Sequence, residues 1–154
     1  MRFLRSLFPS KEDGTGGPFQ SHEAYTRNRA KQLAMTPQTL AELGKYGIND
    51  QTQLKLEYFF YTDMEDKARA LAQKLADLGY EAAYDHSASD AKQFVVTGWT
   101  TRMKMDEQSV LDWSGRMCDL GYEDDCEFDG WGTNPQQPQD AEPGAPANWH
   151  GPRR

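Results

Sequence analysis

The chain has 154 residues, of which 37% are hydrophobic and 27% charged, and its mean hydropathy is −0.88. A chain of this length can bury roughly 70% of its extended surface, so one domain with tails is expected. No apolar run approaches the ~18 residues of a membrane span, and the basic and apolar start is too short for a signal peptide. We therefore expect no membrane insertion and a cytoplasmic location.

Charge is distributed unevenly along the chain. Residues 51–133 carry 8 Lys/Arg against 17 Asp/Glu, a balance of −9, whereas residues 1–50 carry 7 against 5. Because nucleic-acid affinity comes from Lys and Arg displacing counterions from phosphates, this acidic part disfavours direct nucleic-acid binding. A basic protein segment is the better partner for such a surface.

Composition and hydrophobic pattern divide the chain into four parts. We predict a flexible segment at residues 1–20, a helical extension at 21–50, one folded domain at 51–133 and a disordered Pro-rich tail at 134–154. Within the extension, Ser21 is positioned to cap one helix, and Thr36 before Pro37 indicates a second. The extension is expected to pack on the domain through Leu40 and Leu43.

The pentapeptide Asp-Leu-Gly-Tyr-Glu occurs twice, at residues 77–81 and 119–123. Each copy follows a helical pattern and precedes a strand-like one, so a duplicated supersecondary unit is predicted. In both copies the glycine is expected to adopt the left-handed conformation that closes a helix, with the tyrosine folding back as a hydrophobic contact.

The first unit opens on a strand over residues 54–61, in which apolar side chains alternate with others in period two. Thr62 and Glu65 have the spacing of a capping box, which predicts a helix start there. The apolar stripe of this helix is Ala68, Leu71, Ala72, Leu75 and Leu78. A second strand is predicted over residues 80–85.

The second unit repeats this order. Residues 92–102 are rich in β-branched and aromatic side chains and predict a third strand, and Asp106 is positioned to cap the next helix. The apolar face of that helix is Val110, Trp113, Met117 and Leu120. With a last strand over residues 123–131, the order β-α-β-β-α-β predicts a ferredoxin-like α+β fold, an antiparallel sheet with two helices on one face.

The last strand ends in Phe-Asp-Gly-Trp-Gly-Thr at residues 128–133. Here the chain resembles the regulator of ribonuclease E activity B family. The likeness extends to the Leu-Gly-Tyr helix ends, the aromatic strand at residues 57–61 and Lys-Tyr-Gly at 45–47, and covers about residues 40–133. It implies a non-catalytic, acidic protein that binds the regulatory region of the endoribonuclease and lowers its activity. The chain departs from the best-known members in its neutral tail and its amino-terminal extension.

Two groups of residues are candidates for contact with a protein partner. They are Asp125, Glu127, Asp129, Gly130, Trp131, Gly132 and Thr133 of the last strand, and the sheet aromatics Phe59, Tyr61 and Trp99. In strand period, Glu123, Asp125, Glu127 and Asp129 are expected on one side, as a ribbon that suits a basic ligand better than one ion. Alternatively, the glycines and tryptophan of the motif serve turn geometry and packing.

The aromatic candidates lie on the solvent side of the sheet if residues 54–60 face the helices. RNA-recognition motifs stack bases on such a face, but the acidic charge and the lack of their consensus in the third strand oppose that reading. We expect the amino-terminal helices or a protein partner to cover part of this face.

Catalysis has little support in the sequence. His22, His86 and His150 have no apparent nucleophile beside them, and no calcium-loop pattern occurs, so no catalytic residue, metal or cofactor is predicted. Cys118 and Cys126 are expected to be small core hydrophobes. Two alternatives to ribonuclease regulation stay open: a generic acidic protein-interaction module with another partner, and a small-ligand-binding ferredoxin-like domain.

Overall fold

A computed structural model of the protein describes residues 17–137. Three helices and six strands are present in this range, a mixed α+β arrangement with antiparallel sheets. In chain order they are α1 (His22–Gly44), β1 (Gln53–Leu54), β2 (Leu56–Thr62), α2 (Glu65–Asp77), β3 (Ala83–His86), β4 (Phe94–Trp99), β5 (Met103–Lys104), α3 (Glu107–Glu123) and β6 (Glu127–Thr133). The predicted flexible segment and Pro-rich tail fall largely outside the described residues.

Four strands form the main sheet in the order β3-β4-β2-β6, and all three neighbouring pairs are antiparallel. Leu56, Tyr58 and Phe60 of β2 are fully buried on the side that faces α2 and α3. The helices contribute Ala68, Leu71, Leu75, Val110, Trp113 and Met117 to the same core, as their helical spacing predicted. Leu78 is the exception, because it lies beyond the end of α2 and is 55% exposed.

The predicted first strand is divided in two. Leu54 belongs to β1, which pairs with β5 in a separate two-stranded ribbon, whereas β2 starts at Leu56. Both leucines are fully buried. The alternation of apolar residues correctly predicted that both side chains lie in the core. It could not show that the backbone pairs with a different strand on either side of Lys55.

The helical extension is one continuous helix, so the predicted helical pair was wrong. Pro37 lies inside α1, where it leaves one carbonyl without its helical donor, and the preceding Thr36 hydroxyl donates to the carbonyl of Gln32 at 3.2 Å. The predicted cap is confirmed, since Ser21 Oγ accepts from the amide of Ala24 at 3.0 Å. Proline interrupts an isolated helix, but packing of α1 along α3 keeps this one continuous.

The predicted capping box at Thr62 was also wrong. Thr62 is still part of β2, opposite Phe94, and its hydroxyl donates to the carbonyl of Asp125 at 2.9 Å. The residue that precedes α2 is Met64, which makes no side-chain cap. Thr62 therefore lies two residues before the N-cap position, too early for its hydroxyl to cap the first amides of α2.

Helix α3 begins as predicted and ends later than predicted. Asp106 accepts from the amide of Ser109 at 3.0 Å and from its hydroxyl at 2.7 Å, which lowers the pKa of this carboxyl. The helix continues past Gly121 to Glu123, and the last strand starts at Glu127 rather than at residue 123. Both cysteines are buried thiols, as expected.

Candidate partner-binding surface

One face of the main sheet is turned away from α2 and α3. In β2, Glu57, Phe59 and Tyr61 alternate with the core residues and therefore lie on this face. Directly opposite residues of neighbouring strands share a face, so the strand register identifies the residues of β3, β4 and β6 that lie on the same face. We call this the aromatic face: Glu57, Phe59, Tyr61, Ala83, Asp85, Val95, Thr97, Trp99, Glu127, Gly130 and Gly132.

The three aromatic candidates are brought together, as the sequence predicted. Phe59 lies opposite Thr97, and Trp99 lies opposite Glu57, so the two rings belong to diagonal neighbours about 7–8 Å apart. Tyr61 follows two positions after Phe59 on the same strand. Phe59 and Trp99 are half-buried, while Tyr61 is 8% exposed. The rings thus form an apolar strip along β2 and β4.

Carboxylates accompany this strip. Glu127 lies directly opposite Tyr61, Glu57 flanks Phe59 along β2, and Asp85 lies opposite Val95. The aromatic face as defined contains no Lys or Arg. Its charge and its rings together favour a cationic, partly apolar ligand.

A β-bulge divides the terminal motif between the two faces of the sheet. Phe128 lies opposite Phe60 and Gly130 opposite Phe59, so Asp129 is the extra residue. Without the bulge, period two would place Trp131 on the aromatic face. Instead Trp131 faces the helices, where its ring lies edge-on to Trp113 with centroids 6.3 Å apart. The packing interpretation of this tryptophan is therefore the one that the structure supports.

Thr133 also has a structural role. Its hydroxyl donates to the carbonyl of Lys55 at 2.7 Å and accepts from the side-chain amide of Gln137 at 3.0 Å. Gln137 in turn accepts from the amide of Lys55 at 2.9 Å. These bonds fasten the chain after β6 to the chain before β2. Of the motif's glycines, Gly130 has a φ of 111°, which only glycine adopts readily.

Asp125 does not lie on a strand. It sits in the turn between α3 and β6 with a φ of 58°, and Glu123 is the last residue of α3. The predicted ribbon of four acidic side chains along one strand was therefore wrong. The carboxylate of Asp125 accepts from the amides of Phe19 at 2.7 Å and Gln20 at 2.8 Å and pairs with Lys67 Nζ at 2.5 Å. Burial opposes the charge on Lys67, but the bonds to Asp125 and Asp63 outweigh it and raise its pKa.

A second anchor of α1 was not foreseen from the sequence. Asp119 accepts from Arg29 Nε at 2.8 Å and from the hydroxyl of Tyr25 at 2.5 Å. The bond from Arg29 is the main reason that the pKa of Asp119 is lowered. The ring of Tyr25 stacks on Tyr122 with centroids 4.2 Å apart. Tyr25 and Arg29 are four residues apart on α1, and this spacing is the signal that could have revealed one contacting face.

The groove between α1 and α3 has a volume of about 480 Å³ and is lined by Arg29, Leu33, Leu111 and Arg116, among others. Its close ionic contact, between Arg29 and Asp119, holds the two helices together and offers no acid–base pair for chemistry. Within residues 17–137, no three His, Cys, Asp or Glu side chains are grouped to hold a metal ion. The same part of the chain contains no helix long and apolar enough to cross a membrane.

A comparison with protein-family models gives a match that covers most of the described residues. A family model described as regulator of ribonuclease activity B matches residues 33–133, from within α1 to the end of β6. A search of curated proteins found no match. The matched range holds both sheets and the aromatic face, whereas Tyr25 and Arg29 precede it. The chain belongs to the regulator of ribonuclease activity B family, whose members are non-catalytic regulators that bind ribonuclease E.

Proposed function

We propose that the chain regulates ribonuclease E by binding a basic segment of the enzyme on the aromatic face. One observation carries this proposal: the side of the sheet away from α2 and α3 presents the half-buried rings of Phe59 and Trp99 beside Glu57 and Glu127. A guanidinium can stack on an aromatic ring while it pairs with a neighbouring carboxylate. The Arg side chains of a basic segment therefore match both components of the face.

Direct contact with RNA is not part of the proposed mechanism. Phosphate binding needs Lys and Arg, and the aromatic face contains neither, while residues 51–133 have a charge balance of −9. We propose that regulation acts through the protein partner alone. Asp125 contributes indirectly, because its carboxylate anchors the chain before α1 instead of facing a ligand.

We also propose that the four-stranded sheet with α2 and α3 is a ferredoxin-like unit. Its strand order β3-β4-β2-β6 and its antiparallel neighbours support this assignment. A helix follows the first and the third of these strands in sequence, which is the order of the split β-α-β arrangement.

The proposal is tested with the full chain and the regulatory region of ribonuclease E in a binding titration. Glu57→Lys with Glu127→Lys should weaken binding by at least about tenfold, because opposed like charges are costly in an interface. The matched control is Glu107→Lys with Asp112→Lys, which makes the same charge change on exposed positions of α3. The control should bind nearly as the parent does.

One further variant and a salt titration test the aromatic and ionic components. Trp99→Ser should reduce affinity, and wild-type binding should weaken as salt rises, since exposed charges are screened. If the double charge reversal on the sheet and the one on α3 weaken binding equally, net charge alone explains the loss. The aromatic face would then have no role in binding. Binding of a metabolite in place of the enzyme would instead support the small-ligand alternative.

A further inference from the structure

The backbone bonds of the main sheet show which groups of β6 point toward its outer edge. The amide of Thr100 donates to the carbonyl of Leu56 at 2.8 Å, so the backbone polar groups of Leu56 point toward β4. This direction alternates along a strand, so those of Phe60, four residues later, also point toward β4. Phe128 lies opposite Phe60 in β6, and the two residues form a non-hydrogen-bonded pair. The amide and the carbonyl of Phe128 therefore point away from β2, toward the outer edge.

Helix α1 lies along this outer edge and supplies side chains to it. Asn28 Nδ2 donates to the carbonyl of Phe128 at 2.8 Å, and Gln32 Nε2 donates to Asn28 Oδ1 at 3.3 Å. Gln32 Oε1 would lie 3.5 Å from a Cβ atom at Gly130. Four residues of a helix rise about 6 Å and two residues of a strand about 6.6 Å, so successive turns of α1 follow alternate residues of β6.

The burial pattern of α1 fits this position. Its buried residues are Gln32, Thr36 and Leu43, and Gln32 is 5% exposed. Asn28, Gln32 and Thr36 are spaced by four residues and form one polar row on the helix. A helix that packs only against an apolar core buries apolar side chains instead. A polar row suits the edge of a sheet, because the backbone amides and carbonyls there need hydrogen-bonding partners.

The opposite edge of the sheet is protected in another way. Strand β3 has four residues, and the carboxylate of Asp85 accepts from the amide of His86 at 2.7 Å. A short strand with a charged side chain bonded to its backbone resists pairing with another chain. Strand β6 has seven residues, and α1 is the element that lies along its outer edge. An uncovered edge of that length is a template for pairing with a second strand.

We infer that α1 covers the outer edge of β6, and that without this cover β6 pairs with β6 of a second copy of the chain. An antiparallel pair of identical strands is self-complementary, so a second copy supplies the matching edge. The cover is held on the fold by the pair of Arg29 and Asp119 as well as by Asn28. The inference does not rest on the proposed function, because no contact with ribonuclease E enters it.

The test is sedimentation velocity of the full chain over a wide range of concentrations. Asn28→Asp with Gln32→Glu keeps the shape of both side chains but replaces donor amide groups by carboxylate oxygens, which repel the carbonyl of Phe128. The variant should be dimeric where the parent is monomeric, a difference of at least about tenfold in the dissociation constant. The matched control, Gln38→Glu with Gln136→Glu, adds the same charge at two exposed positions and should behave as the parent does.

A second variant releases α1 without changing the residues that face β6. Arg29→Glu places a like charge beside Asp119 and should also cause dimerisation. Intermolecular NOEs between isotope-enriched and unenriched copies should place the new contact at Phe128 and Trp131. If both variants stay monomeric, or if the parent or the control dimerises as strongly, the inference is overturned. NOEs at β3 in place of β6 would also overturn it. Since no ribonuclease is present, none of these outcomes bears on the proposed function.

Discussion

The first copy of the repeated pentapeptide, residues 77–81, lies almost wholly outside its helix, whereas the second, residues 119–123, is the last turn of its helix. Helix α2 ends at Asp77, and Gly79 then takes a φ of 92° on the exposed surface. Helix α3 includes all five residues of its copy, and Gly121 is helical and buried. Identical local sequence therefore ends one helix and continues the other.

The two glycines are required for different reasons. At Gly121, a Cβ atom would lie 2.7 Å from the carbonyl oxygen of Cys126 and 2.8 Å from the ring of Phe60. The amide of Cys126 donates to the carbonyl of Gly121 at 2.8 Å, so the chain turns tightly back into β6. The left-handed residue of this turn is Asp125. A Cβ atom at Gly79 would meet only Thr101 Cγ2, at an ordinary contact distance of 3.9 Å, so this glycine is needed for its backbone angle.

The largest expected effect is that of Gly121→Ala. A methyl group there must displace backbone and a core ring, and overpacking of this kind costs about 1–3 kcal/mol. We expect a loss of about 3 kcal/mol in the free energy of unfolding, measured by urea denaturation. A loss below that of Gly79→Ala would contradict the close-approach explanation.

Gly79→Ala should cost about 1–2 kcal/mol, because an alanine at positive φ is strained although its methyl group clashes with no neighbour. Gly79→Asn separates this cause from packing, since asparagine tolerates the left-handed region and should recover part of the loss. At position 121, asparagine should be worse than alanine because the side chain is larger. Urea denaturation of the alanine and asparagine variants at both positions shows whether each glycine is required for its backbone angle or for lack of space.

Replacement of the aspartate in the two copies should change the free energy of unfolding by amounts that differ by about 1 kcal/mol. Asp119 holds Arg29 and Tyr25, while Asp77 is exposed and accepts only from Gln73 at 3.0 Å among described bonds. Asp119→Asn should lower stability by about 1 kcal/mol at pH 7, a value limited by the partial exposure of the pair. Asp77→Asn should leave stability nearly unchanged.

The effect of Asp119 should depend on pH with a definite sign. Its folded-state pKa is lowered, so its contribution is present above the unfolded value of about 3.9 and is lost as pH falls through the lower folded value. Denaturation curves of parent and Asp119→Asn should therefore converge below about pH 4. A difference that stays constant down to pH 2 would show that the carboxylate charge is not the cause.

The last comparison concerns the tyrosines of the two copies, for which we expect an effect no larger than that of the aspartates. The hydroxyl of Tyr80 accepts from Trp113 Nε1 at 3.2 Å, and Trp113 is buried, whereas the hydroxyl of Tyr122 meets His22 at 3.3 Å on the surface. Tyr80→Phe should cost about 1 kcal/mol, because it leaves a buried donor unpaired. Tyr122→Phe should have a smaller effect in the same thermal-unfolding measurement.

Local patterns predicted those features that depend on few neighbours. The alternation in β2 placed Phe59 and Tyr61 on one face, and the cap at Asp106 follows from one side chain and one amide. The bulge at Asp129 and the ribbon of β1 and β5 left no such pattern. They depend on which strand lies alongside, and a strand's partner is not encoded within the strand itself.

The amino-acid sequence by itself determined the order of helices and strands, most of the core, the acidic charge and the family. Only the tertiary structure decided where α3 ends, which face Trp131 occupies and what Asp125 and Asp119 bind. The physical reason is the separation along the chain of the residues in contact. Periodicity and capping act over a few residues. The contacts of Asp125 with Phe19 and of Asp119 with Arg29 join positions about ninety or more residues apart.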